Sequence, residues 1–251
     1  MPTIDSAAFA RFYQAQYADY EEDIPYWLKL ADRWGDPILE LGCGPGRVLF
    51  QLAAVGHQIA GLDNDPDMLA LARQLLSKPV SMQISLHLLD MTDFEFGHPF
   101  GLIIVPCNTF AYLDDQQAAR CLEESRRHLQ PGHPLAIDLP NPHLLIESPP
   151  DPDEPLMEFT EPESGHSVQV YAHQQRGGGE VLEVTWFYDE LFADGGVERH
   201  AYPQRYHLRS AEEMAAYLTG AGFPTVNIFG GYDQSPLEPD SPRMLIVAKT
   251  K

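Results

Sequence analysis

The sequence predicts an α/β fold: a mostly parallel sheet with helices on both faces, carrying an inserted antiparallel β-sheet. Three observations predict it. Apolar, strand-like runs alternate with helix-like periodic segments over residues 36–140. One of these runs, "FGLIIVP", is almost continuously apolar, as in strands buried on both faces. After Pro140 the alternation gives way to β-branched and aromatic stretches separated by the turns "RGGG" and "ADGG".

The elements follow in order. Phe9, Phe12, Tyr13, Tyr17 and Tyr20 recur at helical spacing, and Trp27, Leu28, Leu30 and Ala31 continue beyond Pro25, whose ring breaks the run into two helices. Residues 37–41 read as a strand, 46–55 as a helix and "GHQIAGLD" as a second strand. "DPDMLALARQLL" is a helix, with Asp65 as N-cap and Pro66 at its first position. "ISLHLLD" and "FGLIIVP" are the third and fourth strands. "DDQQAARCLEESRRHLQPG" is a helix closed by Pro131-Gly132, and "HPLAIDLP" is the fifth strand. The Pro- and acid-rich "ESPPDPDEP" marks a connection. "SVQVYAHQQ", "EVLEVTWFYDELF" and "VERHAYPQRYHL" then read as antiparallel strands. "SAEEMAAYLTGAGF" is a helix opened by a Ser210–Glu213 capping box, followed by the strands "TVNIFGGY" and "RMLIVAKT". The expected organisation is a helical cap (1–35), an α/β core (36–150), a β insertion (151–207), and a terminal helix and two strands completing the core (208–251).

With 251 residues and 44% hydrophobic content, the chain can bury a substantial core. No apolar run reaches the length of a membrane span, and "MPTIDSAAFARFYQ" lacks the basic and apolar regions of a secretory signal. Cys43, Cys107 and Cys121 have neither metal-ligand nor disulfide spacing, so the expectation is a cytoplasmic, reduced protein with no metal site. The net charge of −21 disfavours nucleic acid and anionic membranes as partners.

Chemistry concentrates in "ILELGCGPGR", residues 38–47, where a strand runs through a glycine turn into a helix. Gly42 and Gly44 leave no Cβ between backbone and ligand, and the following helix aims its N-terminal amides at the same place. A dinucleotide site wants Gly-x-Gly-x-x-Gly, but Arg47 stands at the third position. Asp63, ending the second strand, can accept bonds from both hydroxyls of a ribose. Asp90-Met91 ends the third strand, where a carboxylate and an amide can meet an adenine edge. "PCNTF" places Pro106, Cys107 and Asn108 at the same rim, where ligands bind in open α/β sheets.

"LELGCGPGR", "GLDNDPDML", "LLDMTDF" and "LIIVPCNTFAYL", in this order and spacing, resemble the class I S-adenosylmethionine-dependent methyltransferases. More loosely, "FYQAQYADYEEDIPYW" and "GGYDQSPLEPDSPRMLIVAKT" resemble a bacterial small-molecule subgroup with a β insertion. The resemblance implies a Rossmann-like, seven-stranded sheet whose last strand is antiparallel, and S-adenosyl-L-methionine as cofactor. It also implies roles. Glu40, Gly42, Cys43, Gly44 and Arg47 would surround the methionine part. Asp63 would hold the ribose beside Asn64 and Met68, and Asp90 and Met91 the adenine. Pro106, Cys107 and Asn108 would lie near the methyl group, with Tyr13, Tyr17 and Tyr20 closing over the carboxylate end.

Methyl transfer from a sulfonium is an in-line displacement that needs alignment more than acid–base help. Catalytic candidates are therefore Tyr13, Tyr17 and Asn108, with His143, His166, His173, His200 and His207 as further candidate bases. No basic residue stands near Cys107 in the sequence, so it reads as a small wall residue. The expected acceptor is a small molecule methylated on nitrogen or oxygen. The insertion then forms either part of the acceptor pocket or a homodimer face. A non-catalytic binder of S-adenosylmethionine or its demethylated product would show the same motifs; an NAD-linked oxidoreductase is disfavoured by Arg47 and by Asp90-Met91.

Overall fold

A computed structural model describes residues 5–78 and 80–251. Two helices open the chain, α1 (Ser6–Gln16) and α2 (Ile24–Trp34). The alternating region follows: β1 (Ile38–Leu41), α3 (Arg47–Ala54), β2 (Ile59–Asp63), α4 (Pro66–Leu75), β3 (Ile84–Leu88), β4 (Leu102–Val105), α5 (Asp115–His128) and β5 (Pro134–Pro140). After a short α6 (Pro142–Glu147) come β6 (Met157–Thr160), β7 (Ser167–Arg176), β8 (Val181–Leu191) and β9 (Val197–His207). The chain closes with α7 (Ala211–Gly220), β10 (Thr225–Phe229) and β11 (Arg243–Lys249). Residues 1–4 of the expected cap lie outside the described residues.

Seven strands form one sheet in the order β10-β11-β5-β4-β1-β2-β3, and β6 to β9 form a second, four-stranded antiparallel sheet. β11 is antiparallel to both of its neighbours, and the other pairings of the large sheet are parallel. The switch point falls between β1 and β4, so the β1 turn and the loop after β4 open side by side at the C-terminal rim.

Period-two burial explains why β1 and β4 are apolar throughout. Leu39, Leu41, Ile103 and Val105 face one core, while Ile38, Leu102 and Ile104 face the other. A third, smaller core joins Phe9 and Phe12 of α1 to Val168, Val170 and Tyr188 of the inserted sheet and to Met68 of α4. α1 thus bridges the two sheets across the rim. The Phe9 and Tyr202 rings stack, and Ser6 donates to the Asp65 carboxylate at 2.8 Å.

Local signals placed most boundaries. Asp65 caps α4 by accepting from Asp67 N and Met68 N, and Ser210–Glu213 forms both bonds of its capping box. Three details differ from the expectation. The break between α1 and α2 lies upstream of Pro25, which sits in the first turn of α2 where its missing N–H costs nothing. α6 and the edge strand β6 are additional elements, each too short to show a period. Among the described residues, no helix is long and apolar enough to cross a membrane.

Candidate active site

Two adjoining cavities open at the C-terminal rim. The first, of about 280 Å³, lies against the β1 turn and the end of β2. The second, of about 180 Å³, lies under α1 and against the inserted sheet. Phe9, Tyr13, Cys107, Tyr112 and Gln204 line both and form the neck between them.

Gly42, Gly44, Asp63, Asn64, Met68 and Met91 line the larger cavity. A Cβ at Gly44 would meet only Met68 Sδ, at 4.0 Å, so the space there is cavity. A Cβ at Gly42 would overlap the Thr109 side chain, so the first glycine lets the β4 loop approach. Asp63 accepts from Gly44 N at 2.8 Å and from Asp65 N at 2.9 Å, which leaves lone pairs free on both oxygens. Burial pushes its carboxyl above the usual carboxylate range, and backbone amides of the two turns, Asp65 and Gly44 foremost, oppose this.

Tyr13, Tyr17, Tyr20, Cys107 and Asn108 line the smaller cavity. Five expected residues line neither. Glu40 and Cys43 are buried behind the turn, Pro106 is buried in the rim, and Asp90 is exposed with its carboxylate accepting from Thr92 N. Glu40 Oε2 is a sealed acceptor with no partner, and burial holds this carboxyl well above its usual range.

Arg47, the fifth, lies behind Cys107 and grips Asp23 with two bonds, at 2.7 and 2.6 Å. It also donates to the Tyr20 carbonyl and reaches Cys107 Sγ, each at 2.8 Å. Cys107 therefore has a basic partner that its sequence neighbourhood did not reveal. Burial still pushes its thiol up to about 12, against the pull of Arg47, and so favours the protonated thiol over the nucleophilic thiolate.

The β4 loop holds two consecutive non-glycine residues in the left-handed region, Cys107 (φ 56°) and Asn108 (φ 63°). Such conformations cost about 1–3 kcal/mol each and persist where surroundings over-determine them. Here two arginines clamp the pair. Arg47 holds Cys107, and Arg243 donates to Asn108 Oδ1 at 2.7 Å. Arg243 is itself held by Asp138 at 2.6 Å, and Tyr232 donates to the second Asp138 oxygen at 3.0 Å.

Asp23, Tyr112, Asp138, Gln204 and Arg243 were not anticipated. Only Asp138 carried a signal, being an acid inside the apolar run "PLAIDLP". Among the described residues, no histidine lines either cavity. His143 lies on a separate groove, His166 lies 2.6 Å from Glu190, and His200 lies 3.6 Å from the same carboxylate. Burial raises the Tyr13 and Tyr17 phenols, so neither supplies a base at neutral pH.

The strand order, the glycine turn and a strand-end carboxylate beside it define a doubly wound fold that binds a nucleoside cofactor. Residues 38–132 match the family described as Methyltransferase domain. That stretch is a class I S-adenosylmethionine-dependent methyltransferase domain, and the chain is similar to methyltransferases over most of its length. It is 26% identical to a dTDP-3-amino-3,6-dideoxy-alpha-D-glucopyranose N,N-dimethyltransferase of Streptomyces fradiae, over 77% of this chain and 72% of that one. It is 24% identical to the cypemycin N-terminal methyltransferase of a Streptomyces species, over 85% and 82%. Among solved structures, DesVI of Streptomyces venezuelae superposes with a TM-score of 0.76 at 23% identity, covering 100% of each chain.

Proposed function

We propose that the chain methylates the amino group of a small molecule, with S-adenosylmethionine in the larger cavity and the acceptor in the smaller. The observation that carries this reading is the neck: Tyr13, Cys107, Tyr112 and Gln204 belong to both cavities, so a methyl group there faces both.

The cofactor fits the residues present. Asp63 has the free lone pairs that two ribose hydroxyls need, and the absent Cβ of Gly44 leaves room for the ligand. Glu40, Asp23 and Asp63 lie close enough to influence one another, with Arg47 the cation among them, which suits a ligand carrying a sulfonium and an ammonium. The bound sulfonium supplies an already activated methyl group.

The protein's share is placement. α1 and the inserted sheet close over the rim and exclude water, and the clamped β4 loop fixes the floor on which donor and acceptor line up. The insertion thus serves the acceptor pocket in this reading. A hydroxyl acceptor would need a base, and the smaller cavity offers only raised phenols, a protonated thiol and a carboxylate already paired with Arg243. A neutral amine needs none before attack, because its lone pair is available and its proton leaves afterwards. The relatives whose names specify N-methylation point the same way.

The test is release of S-adenosylhomocysteine across matched panels of small amines and phenols. Turnover confined to phenols would overturn the choice of acceptor atom. Tight S-adenosylhomocysteine binding with no turnover of either panel would overturn the acceptor class.

A further inference from the structure

Beside tyrosine hydroxyls that can donate or accept, the smaller cavity carries amide and guanidinium groups that are one-sided, and the reason lies in which atoms are already engaged. Gln204 Oε1 accepts from Trp186 Nε1 at 2.9 Å and from the Tyr206 hydroxyl at 3.1 Å. An indole N–H can only donate, so the atom facing it must be the amide oxygen, and Gln204 Nε2 faces the other way, where Tyr202 takes one of its two hydrogens and leaves the second. Asn108 Oδ1 accepts from Arg243 Nη2 at 2.7 Å, and a guanidinium likewise only donates, so the Asn108 orientation is fixed too. Arg243 spends Nε on Asp138 and Nη2 on Asn108, which leaves Nη1 without a partner. Gln16 bonds a tyrosine hydroxyl, which can play either role, so its orientation carries no weight.

Three nitrogens of this wall, Gln204 Nε2, Asn108 Nδ2 and Arg243 Nη1, therefore hold unspent donors. None of them is among the side-chain atoms sealed from solvent without a partner, so each has open space to donate into. The one carboxylate of the wall, Asp138, is buried and charge-paired with Arg243, with Tyr232 on its second oxygen. The chain is acidic as a whole, yet this cavity offers donors.

We infer that the methyl acceptor carries an oxyanion, a carboxylate or a phosphate ester, seated on Gln204, Asn108 and Arg243 while its nucleophilic atom faces the neck. The inference rests on the smaller cavity being the acceptor site. Gln204 is then a positioning residue supplied by the inserted sheet, and its orientation is set by Trp186 of the neighbouring strand. Seating the anion at three fixed donors would orient the amine, as bidentate clamps do elsewhere.

The test uses the full chain saturated with S-adenosylhomocysteine, so that donors used by the cofactor's own carboxylate are already occupied. Acetate and inorganic phosphate are titrated separately at constant ionic strength, with tryptophan fluorescence as the readout, because Trp186 lines the cavity. The key variant is Gln204→Glu. Its carboxylate still accepts from Trp186 and Tyr206, but the free donor becomes a negative charge. The expected result is a saturable response to acetate or phosphate that Gln204→Glu weakens by about tenfold or more, both proteins being read at saturating S-adenosylhomocysteine. Saturation by acetate alone assigns a carboxylate, and saturation by phosphate alone assigns a phosphate ester. No saturable response in the wild type, or an equal response in the variant, overturns the inference. A second measurement needs no variant: turnover of β-alanine against propylamine, and of O-phosphoethanolamine against ethanolamine. A preference for the uncharged partner in both pairs also overturns it. Failure to bind S-adenosylhomocysteine at all would instead overturn the cofactor reading.

Discussion

Replacing Asp63 by alanine isolates the ribose contact. A carboxylate offers four lone-pair positions. Gly44 N and Asp65 N take two of them, at 2.8 and 2.9 Å, so two remain for the two hydroxyls of a ribose. Each hydroxyl-to-carboxylate bond is worth about 1.5–3 kcal/mol when its partner is removed, less what water recovers in an open cavity. The expected loss of cofactor affinity is about 1–3 kcal/mol, or roughly 5- to 150-fold in Kd. Fold stability should change by less than about 1 kcal/mol, because losing two backbone bonds is offset by removing a buried charge beside Asp65. Calorimetric titration with S-adenosylhomocysteine reads the first quantity and a thermal melt the second. A Kd within about twofold of the wild type, at unchanged melting temperature, would refute the assignment.

Three further outcomes follow from the same geometry. Both glycines sit at positive φ, so either substitution should cost about 1–3 kcal/mol of backbone strain; Gly44→Val should in addition lose cofactor binding because its side chain enters the cavity, and Gly42→Ala should lose about 1–3 kcal/mol more by displacing Thr109, while the reverse pattern in melting and binding would contradict the assigned spaces. Asp23→Ala leaves the Arg47 guanidinium and the Trp27 indole N–H without their buried partner, so it should cost about 3–5 kcal/mol and lower Tm by roughly 6–20 °C; a shift under about 3 °C would show the pair to be dispensable. Burial raises the carboxyls of Glu40, Asp63 and Asp138 above their unfolded values, so as pH falls from near neutral through the raised range these groups stabilise the ligand-free fold. Over that window protonation of Asp63 should weaken cofactor binding, so the Tm contribution and the affinity move in opposite directions; S-adenosylhomocysteine affinity that stays flat across the whole acid range in which the protein remains folded would argue against a charged Asp63 in binding.

Much of the fold was legible because its causes are local. Period-two burial marked β1 and β4, and Asp65 and Ser210 capped the helices they precede. The glycine turn and Asp63 face each other because β1 and β2 pair in parallel, and alternating strand and helix signals are enough to suggest that pairing. The inserted sheet was visible in its turns and alternation, but nothing in its period said which aromatics would face a cavity.

The tertiary structure decided the contacts that join distant segments. Arg47 meets Asp23 across 24 positions, Cys107 across 60, and Arg243 meets Asn108 across 135. Arg47 could be read from the sequence only as a departure from a glycine pattern; its partner became defined when α2 packed against α3. Likewise Gln204 is one polar residue among several on β9 until the register of β8 and β9 brings Trp186 to its side. Periodicity and capping act within a few residues and can be read along the chain. The partners of charged and amide groups depend on how the sheet order, α1 and the insertion converge on one rim, and that convergence exists only in three dimensions.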